Sequence, residues 1–320
     1  MNQEAKKRIV VIGGGNGTAV CLQALKPQVD EIELNAVIST SDSGGSSGRL
    51  RRELRVIPTG DIMRAVLSLS RYDYALLKSI FYKNRFADAG ALDQHNLGNL
   101  FLALGGKYGT ITDAVRALEQ AVEAVGRVYP VSMDLTDLCV ELASGEVIKG
   151  EAEIDVPQYD RSKKIVKAWL EPEAAITKDA KQVIESADYI CFGPGSLYTS
   201  IIPNMLVGGA AQALAYSKAK LVYIIGSCYE ADGETGPEKL SDFAAQLQKY
   251  LPRPLDAVIY STHEFSAPEK RELEKKRWRP MVRDKDNVKA KAVLGADFEK
   301  EGGGGDPKKL GPFLKDYLAV

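Results

Sequence analysis

This sequence predicts an α/β fold, a Rossmann-like open, mainly parallel sheet with a small antiparallel β insertion. Three observations predict it. Apolar, β-branched runs such as Arg8-Ile-Val-Val-Ile12 alternate with helical stretches along most of the chain. Three of these runs, ending near Ile12, Ile38 and Phe192, stop at loops rich in glycine and hydroxyl residues. Between about residues 126 and 171 the texture changes to short apolar–polar alternation, with Ser144-Gly145 as a hairpin turn.

The first strand ends at Gly13-Gly-Gly-Asn-Gly-Thr18, and Ala19 to Leu25 then reads as a helix. Strand, glycine loop and helix are the setting of a phosphate-binding first turn, because a helix start offers free N–H groups and partial positive charge. The match to G-x-G-x-x-G is partial, with Thr18 at the third glycine. A plain tight turn is the competing reading.

The second strand, Leu34 to Ile38, delivers Ser39-Thr-Ser-Asp-Ser-Gly-Gly-Ser-Ser-Gly-Arg-Leu-Arg-Arg52. Glycines let the backbone come close to a ligand, while hydroxyls and arginines suit an anion with several oxygens. Asp42 fits a ribose hydroxyl or, equally, an Asx-turn to its own backbone. Gly44-Gly-Ser-Ser-Gly48 also fits the nucleophile elbow of a hydrolase. That reading lacks a late histidine partner other than His263 and comes too early in the strand order.

Pro58-Thr-Gly-Asp-Ile62 opens a helix through roughly Arg71, with Thr59 or Asp61 as its cap. Helix signals continue from Tyr72 to Phe86. Gln94-His-Asn-Leu-Gly-Asn99 feeds another helix. There Asn96 and Asn99, three apart, could face a ligand, with capping by Asn96 as the alternative. His95 reads as a general base or as a hydrogen-bonded, semi-buried histidine. A helix from Ile111 to Val125 precedes the insertion, whose strands are expected at Val128 to Val131, Asp137 to Leu142 and Glu146 to Ile154, with another at Lys164 to Leu170.

Lys178 to Glu185 is helical, and Asp188 to Phe192 returns to a parallel strand. It ends at the third loop, Gly193-Pro-Gly-Ser-Leu-Tyr-Thr-Ser200. An Ala-rich helix from Asn204 to Ser217 and strands at Lys220 to Ile225 and Asp256 to Tyr260 follow. After Ser266 the pattern weakens to a charged helix, Glu269 to Arg279, with Trp278 docking it, a Gly302 to Gly305 connector and a last amphipathic helix. Residues 1–265 are expected to form the nucleotide-binding domain, with residues 266–320 a helical and strand extension of it.

Composition narrows the function classes. Charged residues make up 27% and the formal net charge is -1, so nothing draws the whole chain to nucleic acid or a membrane surface. The start is polar, no apolar run would span a bilayer, and the cysteines at 21, 139, 191 and 228 form no Cys-x-x-Cys pair. A reduced, cytoplasmic protein is expected. In an open parallel sheet the loops at the carboxyl ends of strands share one edge, and ligands sit at the switch point. Three such loops imply a phosphate-bearing ligand, a nucleotide or nucleotide-linked sugar. A nicotinamide oxidoreductase would explain the first loop alone.

The sequence resembles the gluconeogenesis factor family, related to the 2-phospho-L-lactate transferases of deazaflavin biosynthesis. The resemblance runs from Ile9 to about Gly236. It rests on Gly13-Gly-Gly-Asn-Gly-Thr, Ser41-Asp-Ser-Gly-Gly-Ser-Ser-Gly-Arg-Leu-Arg-Arg-Glu53, Pro58-Thr-Gly-Asp-Ile, His95-Asn-Leu-Gly-Asn-Leu and Gly193-Pro-Gly-Ser-Leu-Tyr-Thr-Ser-Ile-Ile-Pro-Asn204. It implies a Rossmann-like core and binding of UDP-sugars such as UDP-N-acetylglucosamine. It also implies a cytoplasmic regulator of growth and cell shape on gluconeogenic carbon sources, with no established reaction. Three departures stand out. The family's Asp-Asp-Gly-Gly is Asp42-Ser43-Gly44-Gly45 here. Gly226 to Asp232 replaces a stretch rich in Asn, Met and Gln, and the late Arg-His is absent.

The expected site therefore comprises Gly13, Gly14, Gly15, Asn16, Gly17 and Thr18 of the first loop. It adds Asp42, Gly45, Ser46, Ser47, Gly48 and Arg49 of the second, Asp61, Asn96 and Asn99, and Gly193, Pro194, Gly195, Ser196 and Thr199 of the third. Loop amides with Ser46, Ser47, Ser196 and Thr199 would hold phosphates, Arg49 would add charge, and Asp42, Asn96 and Asn99 would hold ribose or sugar hydroxyls. No cofactor or metal is expected, the ligand being a UDP-sugar or similar nucleotide diphosphate, and self-association into a homo-oligomer is left open. The enzyme alternative is a transferase moving a phosphate-linked group to an acceptor, with Asp42 or Asp61 as base or metal ligand.

Overall fold

The computed structural model describes residues 5–320. Twelve strands lie along the described chain: β1 Lys7–Gly13, β2 Ile32–Ile38, β3 Arg127–Pro130, β4 Asp137–Leu142, β5 Val147–Lys149, β6 Ile165–Glu171, β7 Tyr189–Phe192, β8 Lys220–Ile225, β9 Cys228–Glu230, β10 Ala257–Ser261, β11 Trp278–Pro280 and β12 Ala292–Ala296. Seven form one sheet in the order β12-β10-β8-β7-β1-β2-β3, parallel at every pairing. The inner strands are apolar nearly throughout, as a sheet covered on both faces requires. Their side chains alternate between two cores. Val10, Ile12, Ile190 and Phe192 point into one, and Ile9, Val11, Cys191 and Val222 into the other.

The chain enters this sheet in the middle. From β1 it moves outward through β2 to β3, then returns across β1 to β7 and on to β12. The loops after β1 and β7 thus leave neighbouring strands in opposite directions, which opens a crevice between them.

The helices follow from the same alternation: α1 Gly15–Leu25, α2 Gly45–Leu54, α3 Gly60–Ser68, α4 Tyr74–Lys78, α5 Leu97–Tyr108, α6 Ile111–Ala121, α7 Glu151–Asp155, α8 Lys178–Ser186, α9 Ile202–Leu206, α10 Ala210–Tyr216, α11 Leu240–Gln248, α12 Ala267–Lys275 and α13 Pro307–Leu318. Side-chain caps start several of them, including Asn96 to the Asn99 N–H at 2.8 Å and the Ser266–Glu269 capping box.

Several expectations need correction. Arg127–Pro130 belongs to the main sheet, where β3 pairs parallel to β2, so the antiparallel insertion consists of β5-β4-β6. A half-exposed edge strand alternates as an antiparallel one does, and only its pairing tells them apart. The run from Glu146 to Ile154 is strand only to Lys149, because Gly150 turns at φ 107° into α7. The stretch expected as one helix from Asn204 to Ser217 breaks at Gly209, φ 93°, between α9 and α10. Tyr72 to Phe86 holds α4 followed by a wider turn over Ser79–Lys83. Neither Thr59 nor Asp61 caps α3: the Gly60 N–H donates to Ser47 Oγ at 3.2 Å. Trp278 stands in β11, paired to β9, rather than on the charged helix, which ends at Lys275.

Candidate functional site

The first loop sits against the third with backbone touching backbone. A Cβ on Gly17 would stand 2.1 Å from the Pro194 carbonyl oxygen, so only glycine fits there. Gly15, at φ 67°, begins α1, and its position lies near the Arg64 guanidinium. Gly14 lies against α3, where a Cβ would fall 2.6 Å from Asp61 Oδ2, the movable end of a side chain.

Beside this junction lies a cleft of about 700 Å³, within the usual range for small-molecule sites. Of the expected residues, Gly14, Gly15, Asn16, Gly17, Asp42, Asp61, Pro194, Gly195, Ser196 and Thr199 line it. Gly13, Thr18 and Gly193 lie beneath it as packing partners, with Gly13 O accepting from the Ser39 N–H at 3.0 Å.

The second loop turns largely away from the cleft. Asp42 Oδ1 accepts the Gly44 N–H at 2.8 Å, the Asx-turn reading, while the carboxylate still borders the cleft. Ser46 bonds His95 Nδ1 at 2.8 Å, Ser47 takes the Gly60 N–H, and Arg49 donates to the Asp93 carbonyl at 2.7 Å. Gly48 lets α2 close over Ser43, whose carbonyl carbon and oxygen a Cβ would overlap. Gly45, Asn96 and Asn99 also lie off the cleft wall, both asparagines buried and Asn99 donating to Ser47 Oγ at 3.4 Å. His95 is a buried, hydrogen-bonded histidine whose proton affinity is lowered by burial and by Arg49.

The third loop is already occupied by a carboxylate of the chain itself. Glu234 accepts the N–H groups of Leu197, Tyr198 and Thr199 at 2.6, 2.9 and 3.0 Å. Burial, then Asp155, pushes its carboxyl up to about 7 despite those bonds. Of the third-loop residues expected in the site, Thr199 has its amide spent on Glu234, beside those of Leu197 and Tyr198.

Sequence reasoning missed two groups of residues. One is acidic. Glu151 and Asp155, four apart on α7, line the cleft with Asp42 and Asp61. Crowding out of water drives Asp42 to about 6 and Glu151 to about 9, with Asp61 and Asp42 respectively the next cause. Ser43, where the resemblance led one to expect a second carboxylate, fastens α7 to this wall. Its Oγ accepts the Ala152 N–H at 3.0 Å, and its own N–H donates to Glu151 at 3.3 Å. An acid at 43 would add charge beside an already strained Glu151. Among the described residues no cluster of three or more His, Cys, Asp or Glu is arranged to hold a metal ion.

The other group is cationic. Arg64 pairs with Asp61 at 3.3 Å and donates to Tyr82 Oη at 2.6 Å, yet its Nε has no partner. Lys78 and Lys300 join it on the cleft wall, and burial followed by Arg64 lowers the Lys78 proton affinity. The Asp61–Arg64 spacing of three on α3 was the one sequence signal for this group. Tyr229 and Trp278 add flat apolar surface.

Residues 9–297 match the family model described as 2-phospho-L-lactate transferase CofD. The chain belongs to the CofD family. Among CofD-family relatives, the gluconeogenesis factor of Halalkalibacterium halodurans is 33% identical over 291 residues, spanning 90% of this chain and 88% of the relative. That of Bacillus subtilis is 33% identical over 288 residues, spanning 89% and 88%. A crystal structure of a Bacillus halodurans protein superposes with a TM-score of 0.87 at 30% identity, covering 99% of this chain and all of that one. The CofD-family fold thus extends through the C-terminal segment, where the motifs of the sequence had run out. Among the described residues no helix is long and apolar enough to cross a membrane.

Proposed function

We propose that this CofD-family chain is a gluconeogenesis factor that binds a nucleoside diphosphate sugar, of the UDP-sugar type, without turning it over. The proposal includes a cytoplasmic regulator acting on growth and cell shape during use of gluconeogenic carbon. The observation that carries it is the cleft at the sheet's switch point, where the first glycine loop meets Arg64, Lys78 and Lys300. Amides and cations together suit a diphosphate. Asp42, Asp155 and Ser196 supply acceptors and a hydroxyl for ribose and sugar, and the aromatic wall suits a base.

Ligand at about a hundredfold its Kd adds about 2.7 kcal/mol to stability, enough to raise the melting temperature by several degrees. Melting scans with UDP-, GDP- and ADP-linked sugars test this, and no shift with any of them defeats the reading. A second reading, transfer of a phosphate-linked group, draws on Asp42, whose carboxyl at about 6 suits a general base. Calorimetry with magnesium and with chelator, followed by phosphorus NMR with candidate acceptors, separates the two. Binding with little dependence on magnesium and no turnover is expected; magnesium-dependent release of nucleotide, lost in Asp42→Asn, favours the transferase.

A further inference from the structure

Two walls of the cleft carry opposite charge. Beside the first loop stand Arg64, Lys78 and Lys300, with Arg64 Nη1 3.8 Å from where a Cβ on Gly15 would lie. Beside the third loop the wall is acidic. There α7 brings Asp155, β9 brings Glu230, and Glu234 closes on the loop amides. Burial raises the proton affinity of all three, and the charges that raise it further are carboxylates in every case: Asp61 for Asp155, Asp155 and Asp232 for Glu230, and Asp155 for Glu234.

One hydroxyl sits between two of these acids. Thr199 Oγ1 lies 3.3 Å from Asp155 Oδ1 and 3.3 Å from Glu234 Oε2. It has one proton to give, so it donates to only one of them at a time. Glu234 already accepts three backbone N–H groups. For Asp155 the Thr199 hydroxyl is the one donor in reach among the described residues. A carboxylate can accept about four hydrogen bonds, so Asp155 faces the cleft with most of that capacity open. A ligand hydroxyl fills it. A ligand carboxylate has no proton to give and adds a like charge.

We propose that Asp155 selects the sugar by charge: the cleft takes a nucleoside diphosphate linked to an uncharged, hydroxyl-bearing sugar and turns away one that bears a carboxylate. The inference rests on the nucleotide-sugar reading and adds which sugars qualify. The diphosphate meets Arg64, Lys78 and Lys300, and a sugar hydroxyl donates to Asp155, which Thr199 holds in place. A uronic acid would set its carboxylate against Asp155 and Glu234, with Glu230 at the exposed rim. Like charges brought together reject the wrong partner more strongly than a missing contact does. The first loop and the cations cannot make this distinction, since both kinds of ligand carry the same diphosphate.

The test is calorimetry of the full chain with UDP, UDP-glucose and UDP-glucuronate, for the parent and for Asp155→Asn. The parent is expected to bind UDP-glucose at least about tenfold more tightly than UDP-glucuronate. Asp155→Asn keeps an acceptor, gains an N–H donor and loses the charge. It is expected to bring the two sugars within about threefold, chiefly by binding UDP-glucuronate more tightly. Equal affinity of the parent for both sugars overturns the inference, whether or not the variant folds. So does a folded variant that discriminates as the parent does, or one that loses UDP-glucose with no gain for UDP-glucuronate, the result of a structural role alone. Binding of UDP and both sugars alike leaves the nucleotide site standing; binding of none of the three overturns the nucleotide-sugar reading itself, and this inference with it.

Discussion

The first and third glycine loops read alike in the sequence, each a strand running into glycines, hydroxyls and a helical turn. Their amides have different fates. At Gly13–Thr18 the turn into α1 opens on the cleft beside Arg64, while at Gly193–Ser200 three successive N–H groups close on Glu234. The two loops also press on each other, with Gly17 against Pro194. The lesson is that glycine and serine content announces close backbone approach without saying what approaches. In one loop it is open solvent at a site, in the other a carboxylate 35 residues or more along the chain.

The strongest way to break this comparison is at the contact between the loops. Gly17→Val would drive a side chain into the Pro194 carbonyl, and a loss of more than about 3 kcal/mol in urea unfolding is expected. A variant of native stability would show that the two loops are not held together there.

A smaller effect should follow pH. Glu234 titrates at about 7 in the fold against an ordinary 4.5, and Glu151 at about 9, so between those values the folded chain keeps protons that the unfolded chain has lost. Stability is therefore greatest on the acid side of this window and falls as pH rises from the ordinary carboxylate value to each folded value, by on the order of 3 kcal/mol for Glu234 and more for Glu151. Unfolding of the parent should weaken from pH 5 to 9. Glu234→Gln should flatten the fall between about pH 5 and 7, and Glu151→Gln the fall across the whole range up to about 9. Parallel curves for parent and variants would remove the buried carboxylates as its source.

The cationic side of the first loop sharpens the contrast further. Lys300→Ala, on an exposed side chain, should weaken nucleotide-sugar binding about tenfold at low salt, and less at high salt, by calorimetry. Equal affinity in parent and variant would place the diphosphate elsewhere in the cleft. The smallest effect is expected at Asn96→Ala, which loses a helix cap worth about 1 kcal/mol and leaves ligand affinity unchanged, because the side chain faces the α5 start rather than the cleft. A large loss of affinity would restore Asn96 to the binding site.

The sheet and its three loop-bearing strands were legible because their signals are local: β-branched runs, then glycine. The first loop, read on the same grounds, lines the cleft, as do Asp42 and Asp61. Long-range pairing left no such trace. Nothing around Arg127 says parallel edge strand, and β12, Ala-Val-Leu-Gly-Ala at the opposite edge, is too short and too half-buried to read as a strand. Glu234 was hidden for a related reason: its partners are the backbone N–H groups of Leu197, Tyr198 and Thr199, which no side-chain pattern marks. Ser46 and Arg49 looked like ligand residues because their chemistry is right, but α2 carries them to His95 and Asp93 instead.

The walls of the cleft are gathered from Gly14 at one end of the described chain to Pro307 near the other. β1, an inner strand of the sheet, is made first, and its neighbour on one side, β7, comes some 180 residues later. α13 then lies across α1, with Gly311 small enough to approach the Ala24 carbonyl. During synthesis, then, the first glycine loop leaves the ribosome long before its facing wall exists. A chain made only as far as Phe192 holds half a cleft, whose remaining walls, as far as Pro307, have yet to emerge. The site is assembled late in translation, and contacts so distant in sequence also make for slow folding.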